Sequence, residues 1–279
     1  MKFYITLILA FILVCGLSPL AIAQQLENIT NPEKNDPIEI TAEQVLEWHR
    51  NEQQYIARGD AKIKQGTMTI QADIITADYR EEKGSGLDIY RLTASGNVII
   101  DSQGNVGRGD KLVYDVAKGV ATLTGDDVEL ASQDQVIKAK ESFEYWTAQG
   151  RLNAIGNVIV IRKKDTIKAD RMSAIFEGGG SDGKRRLKNM EAIDNVVITT
   201  EEEILSGNKA TYEAASDIAL IIGNVEIARG PNVLNGERAE VNLKTNISKL
   251  YGQTGGEDAK SSSPSKPGRV RGVFYPESN

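Results

Sequence analysis

Three aspartates recur at matching places along the chain, Asp73, Asp110 and Asp170, each directly after a small residue in Ala72-Asp73, Gly109-Asp110 and Ala169-Asp170. Paired carboxylates of this kind are the equipment of glycoside hydrolysis, where one protonates a leaving group and another attacks or activates water. Recurrence at equivalent positions points the other way, to a turn-forming residue whose short side chain bonds its own backbone. The single histidine, His49 in Trp48-His49-Arg50, has no companion histidine with the spacing of a zinc site. Gly178-Gly-Gly180 opens no helix that would cradle phosphate. The lone cysteine, Cys15, falls in an apolar leader, so the remaining chain offers neither disulfide nor thiolate chemistry. No catalytic residue, metal ligand or cofactor is assigned, and the expectation is a protein that is not an enzyme.

The elements that would position these aspartates belong to a repeat. One phrase returns six times, as Gly59-Asp60, Gly96-Asn97-Val98, Gly125-Asp126, Gly156-Asn157-Val158, Asp194-Asn195-Val196 and Gly223-Asn224-Val225. Successive anchors are 37, 29, 31, 38 and 29 residues apart, so three phrases make a larger unit of 97 to 98 residues. Residues aligned at that offset agree: Ile70-Gln-Ala72-Asp73 with Ile167-Lys-Ala169-Asp170, and Gly109-Asp-Lys-Leu-Val-Tyr114 with Gly207-Asn-Lys-Ala-Thr-Tyr212. A repeated supersecondary unit works through an extended surface and not through one compact pocket.

Around each anchor the apolar residues alternate, as in Leu92, Ala94, Gly96, Val98 and Ile100, or Met190, Ala192, Asp194, Val196 and Ile198. That period of two predicts strands with one apolar face. Glycine at a strand midpoint predicts a bend. At the small-Asp phrase the apolar phase switches, from Ile167 and Ala169 to Met172, Ala174 and Phe176, which predicts a bulge or corner. Turn sequences such as Ala117-Lys-Gly119 and Ala148-Gln-Gly150 imply hairpins and antiparallel pairing. A parallel β-helix fits less well, because hairpin turns and uneven spacing suit no regular coil. The apolar face must be covered, so the sheet folds over into a sandwich, barrel or jelly roll. Periodicity alone favours a filled core over an open ligand channel.

The flanks are distinct. Met1-Lys2, an apolar run from Phe3, the break at Ser18-Pro19 and Ala21-Ile22-Ala23 together read as a secretory signal peptide over 1–23, cleaved before Gln24. A flexible lead-in follows at 24–37. The first β unit is placed at 38–135, the second at 136–252, and a Gly-, Ser- and Pro-rich flexible tail at 253–279. Within that tail Val270 to Tyr275 reads either as a frayed end or as a short strand on a sheet edge. Formal charge is −6, which argues against nucleic acid as a partner. The basic run Lys184-Arg185-Arg186-Leu187-Lys188 reads as a solvated hairpin flank, with anionic head groups as the other option.

Taken together, Gly156-Asn-Val-Ile-Val…Ile167-Lys-Ala169-Asp170 and Ala94-Ser-Gly96-Asn-Val…Gly109-Asp-Lys-Leu-Val-Tyr114 resemble the LptA/OstA-like repeat of periplasmic lipopolysaccharide-export proteins, over about residues 38–250. The resemblance implies a folded-over antiparallel β-sheet, an open β-jelly roll. It implies a periplasmic carrier or bridge whose apolar trough shields the lipid A acyl chains of lipopolysaccharide between inner and outer membranes. It also implies head-to-tail homo-oligomers, and docking to inner-membrane and outer-membrane export proteins through sheet edges. With parity, it makes the trough lining Ile63, Leu92, Val98, Ile100, Leu152, Val158, Val160, Met190, Val196, Ile198 and Ile227. The chain departs from the pattern in having two units, and in Asp194, which stands where the other anchors have glycine. That aspartate suggests a change of bend or a partly polar trough there. Two other readings are a membrane-anchored partner in the same export system, whose leader stays uncut, and a structural β-repeat protein that carries nothing.

Overall fold

The computed structural model describes residues 37–82, 86–102, 104–178, 185–245, 247–252 and 269–275. The expected signal peptide and its cleavage site, Cys15 and nearly all of the lead-in lie outside the described residues. Every regular element among those described is a strand, and the strands pair antiparallel, so the all-β antiparallel class expected from the repeats is the class observed.

The chain divides into two compact units. One holds Ser18–Val158 with Ser173–Leu187, and the other Ile159–Met172 with Lys188–Asn279. In the first, β1 (Glu39–Thr41) and β2 (Val45–His49) lie end to end along β3 (Gln54–Gln65). The meander continues through β4 (Met68–Glu82), β5 (Gly86–Ser102) and β6 (Asn105–Asp115). Next, β7 (Val120–Thr124) and β8 (Val128–Ala131) share the free side of β6. β9 (Val136–Ala139) pairs with β8, and β10 (Ser142–Trp146) with β7. β11 (Arg151–Arg162) and β12 (Asp165–Glu177) contribute residues to both units.

The second unit continues with β13 (Arg186–Thr199), β14 (Ile204–Glu213), β15 (Ile218–Arg229) and β16 (Asn232–Asn242), paired in sequence order. Two short strands, β17 (Ile247–Tyr251) and β18 (Arg271–Val273), finish along β16. Of the two readings of Val270 to Tyr275, the edge strand is the one observed: Val273 sits opposite Val233 and Arg271 opposite Asn235.

Alternation builds each core. Along β11 every second residue is buried from Leu152 to Arg162. Buried residues run through the anchors without losing phase, as in Leu92, Ala94, Val98 and Ile100 of β5. The strands carrying the small-Asp phrase do switch phase there, from Ile70 and Ala72 to Ile75 and Ala77 in β4.

Both behaviours have one cause. At the anchors two successive residues take left-handed backbone: Gly96 (φ 81°) with Asn97 (φ 47°), and Gly156 (φ 92°) with Asn157 (φ 45°). The ladder breaks at the same place, between Arg58 and Ala61 in β3 and between Ser95 and Val98 in β5. These bulges line up across neighbouring strands and crease the sheet, folding it over within the unit. In the second unit Asp194 (φ 64°), Asn195 (φ 52°), Gly223 (φ 82°) and Asn224 (φ 51°) repeat the device, with ladder breaks at Ile193/Val196 and Ile222/Val225. Asp194 therefore adopts the backbone that glycine has elsewhere. Its carboxylate is about half exposed and pairs with Arg171 at 2.8 Å, so it adds no polar group to the inner face. The expected partly polar trough at Asp194 is not seen, because the side chain leaves on the outer side of the crease. At Gly125 the outcome differs again: no bulge forms, and the strand position breaks into β7 and β8.

Candidate lipid-binding face

The creases fix which side chains face inward. In the first unit one cross-strand row runs Tyr55, Ala77, Leu92, Tyr114, Ala121, Tyr145 and Leu152. A second row sets Ile63 opposite Ile70, and Ile70 opposite Ile100. In the second unit Ile198, Leu205, Ile227 and Leu234 make a row, and Met190, Tyr212, Ala219 and Val241 another. Direct cross-strand neighbours on one face are the unit of packing in a sheet.

Ten of the eleven expected lining residues are buried: Ile63, Leu92, Val98, Ile100, Leu152, Val158, Val160, Val196, Ile198 and Ile227, with at most 8% of any one exposed. Met190 is half-buried, beside Tyr212. In the first unit Ile63, Leu92, Val98, Ile100, Leu152 and Val158 share the inner face. Val160, Met190, Val196, Ile198 and Ile227 belong to the second unit.

Sequence reasoning missed two groups on the same face. One is aromatic: Tyr79 and Tyr145 are fully buried, Tyr212 nearly so, and burial pushes the Tyr114 phenol above its ordinary value. The Tyr212 hydroxyl donates to Asp217 at 2.9 Å, and Tyr79 accepts the indole N–H of Trp48 at 2.7 Å. The other group is ionic. Arg162, Asp165 and Glu203 are each only 5% exposed, at strand ends of the second unit. Burial pushes both carboxyls up; Glu201 adds to the rise at Asp165, and Arg229 opposes it at Glu203. Parity would have found Arg162, which keeps the phase of Val158 and Val160.

Of the candidate carboxylates, Asp73 and Asp170 serve the creases instead, and Asp110 the break between β7 and β8. Asp73 accepts from the amide of Asn97 at 3.0 Å and Asp170 from that of Asn195 at 2.8 Å, while Asp110 accepts from the backbone N–H of Asp126 at 3.3 Å. His49 Nε2 lies 2.5 Å from Glu47, whose carboxyl is held low by that contact first and by Arg58 second. Of the basic run, Arg185 donates to the Thr147 carbonyl at 3.3 Å. The inner face is thus an apolar surface edged with phenols and one buried ionic group, chemistry suited to holding hydrocarbon.

Comparison with known proteins gives three results. A 27% identical stretch of 133 residues is shared with an uncharacterized protein of Rhizobium meliloti (strain 1021), covering 46% of this chain and 71% of that one. Among solved structures, LptH of Pseudomonas aeruginosa, described as the LptA-homologous periplasmic component of the lipopolysaccharide transport device, is 11% identical. That match covers 88% of this chain and 99% of LptH at a TM-score of 0.21. The family described as LptA/(LptD N-terminal domain) LPS transport protein matches twice in tandem, over residues 39–142 and 137–247. The chain belongs to that lipopolysaccharide transport family.

Proposed function

We propose that the protein is a periplasmic carrier that shields the acyl chains of lipopolysaccharide on its creased inner face during passage between the membranes. One observation supports this above others: the buried alternation recurs through both units, in the same phase relative to each crease. A transport surface needs many similar weak sites in series, and a tandem repeat supplies them. Each buried methylene contributes about 0.8 kcal/mol, so about ten of them give roughly 8 kcal/mol before the ordering cost. Acyl chains would enter by displacing inner-face side chains within each unit, Leu92, Val98 and Val158 in the first and Val196 and Ile198 in the second, with the half-buried Met190 as the position where displacement costs least. The two sequence repeats, at 38–135 and 136–252, supply these residues, although the compact units divide the chain after Val158. Sheet edges β1–β2 and β17–β18 offer unpaired backbone for β-augmentation by export partners or by further copies.

The test is site-specific photo-crosslinking in cells exporting labelled lipopolysaccharide. A photoreactive residue at Met190 or Ile198 should yield a lipid adduct. One at Ile99, 37% exposed and of opposite parity, should not. Equal labelling at Ile99, or none at Met190 and Ile198 in correctly folded protein, overturns the proposal.

A further inference from the structure

The outer face of the first unit carries a depression of about 400 Å³. It lies across β5, β6, β7 and β10, and its residues come in register. Arg91 faces Asp115, which faces Val120, which faces Trp146; one row on, Thr93, Val113 and Thr122 stand side by side. Lys111 closes the far end, a further row along. Four residues of strand separate the Arg91 and Lys111 rows, about 13 Å at roughly 3.3 Å per residue.

The partners of these groups matter more than their number. Asp115 is engaged: it accepts from the Lys118 backbone N–H at 3.0 Å and pairs with the Lys118 ammonium at 3.1 Å. Those contacts, with Arg91 adding a smaller pull, hold its carboxyl below the usual range. Among the described residues neither Arg91 nor Lys111 forms an ion pair, and the Trp146 indole N–H has no protein acceptor. Trp146 is only half-buried, on a face whose neighbours are valines and threonine hydroxyls.

An indole wall, an apolar floor, two hydroxyls and two cations at opposite ends, neither in an ion pair among the described residues, suit one ligand class. The apolar face of a sugar ring stacks on indole, hydroxyls exchange hydrogen bonds with threonine, and an acid group pairs with guanidinium or ammonium. We infer that this outer groove binds a short acidic oligosaccharide, with a carboxylate- or phosphate-bearing sugar at each cationic end. The inference does not depend on the inner face holding lipid. Two sources share the chemistry, the sugar portion of a lipopolysaccharide and a free acidic glycan.

The chain has two tryptophans, so Trp48→Phe leaves Trp146 as the sole indole reporter. The full-length Trp48→Phe protein is titrated with oligogalacturonate, with deacylated lipopolysaccharide oligosaccharide, and with neutral maltooligosaccharide. Calorimetry on the same samples detects a complex that leaves the fluorescence unchanged. The expected result is saturable binding of at least one acidic glycan and none of the neutral one. The Arg91→Gln/Lys111→Gln double variant should bind at least about tenfold more weakly, with an unchanged melting temperature because both side chains are exposed. Whichever acidic glycan binds more tightly identifies the source. Absence of binding by both acids, equal binding of the neutral glycan, or full affinity in the double variant overturns the inference.

Discussion

Asn97 reaches across from β5 to donate its side-chain amide to both carboxylate oxygens of Asp73 on β4, at 3.2 and 3.0 Å. The pair joins the two recurring phrases of the sequence at the crease, and it explains why they travel together. Asn97 also holds left-handed backbone, φ 47°. Asn97→Ala loses the amide and strains that backbone, so it should cost about 1–2 kcal/mol in urea denaturation. Asn97→Gly keeps the backbone permissive and should cost less than half as much. Equal costs would show that the crease does not depend on that conformation.

The two anchors of the second unit make a matched pair of opposite sign. Gly223 (φ 82°) lies against Asn208, and a Cβ there would come within 2.6 Å of its amide nitrogen. Gly223→Ala should therefore destabilise by about 2 kcal/mol or more. Asp194 occupies the same backbone region as a non-glycine residue, compensated among the described residues only by its exposed pair with Arg171. Exposed pairs contribute at most about 1 kcal/mol. Asp194→Gly should thus be neutral or stabilising by up to about 1 kcal/mol, as read by thermal melting.

Much of this was legible beforehand because a strand's period is two and its bulges change phase in a fixed way. The inward set around Gly96 and the switch between Ile167, Ala169 and Met172 follow from that rule alone. Asp194 was not legible, because its identity suggests a polar trough while its φ angle sends the carboxylate outward. Gly125-Asp126 looks like Gly59-Asp60, yet one ends a strand and the other bulges; the difference is set by the short strands β9 and β10 that pair beyond it. Arg162 and Glu203 escaped because charge argues against burial, although parity places Arg162 in the buried phase of β11.

Glu203 offers a pH-dependent test of that enclosure. Its carboxyl is pushed up by burial, and its Oε2 has no hydrogen-bond partner among the described residues. A carboxyl with a raised folded-state pKa leaves stability intact below its unfolded value. Stability is then lost as pH climbs through the folded one. Glu203→Met should therefore stabilise the protein near neutral pH, by about 1–3 kcal/mol, with the gain fading below the ordinary carboxylate range. A gain that persists unchanged at acid pH would assign the effect to packing and not to charge.

The last prediction concerns the sheet edges. Among the exposed large apolar residues, Val45, Leu46 and Trp48 lie on β2, and Phe274 and Tyr275 directly follow β18. β2 pairs with β3, and β18 with β16. An edge with free backbone groups and apolar side chains is a template for another chain unless something covers it. Leu46 is 52% and Phe274 69% exposed, so neither adds much to the stability of a single chain. Leu46→Lys and Phe274→Lys, made separately, should leave the melting temperature of dilute protein unchanged. In sedimentation velocity each should weaken self-association by at least about tenfold, because a lysine ammonium cannot be buried unpaired at an interface. If only one of them matters, that edge meets copies of this chain and the other is free for an export partner. Wild-type protein that stays monomeric at every concentration tested would leave both edges to heterologous partners and rule out the head-to-tail oligomer.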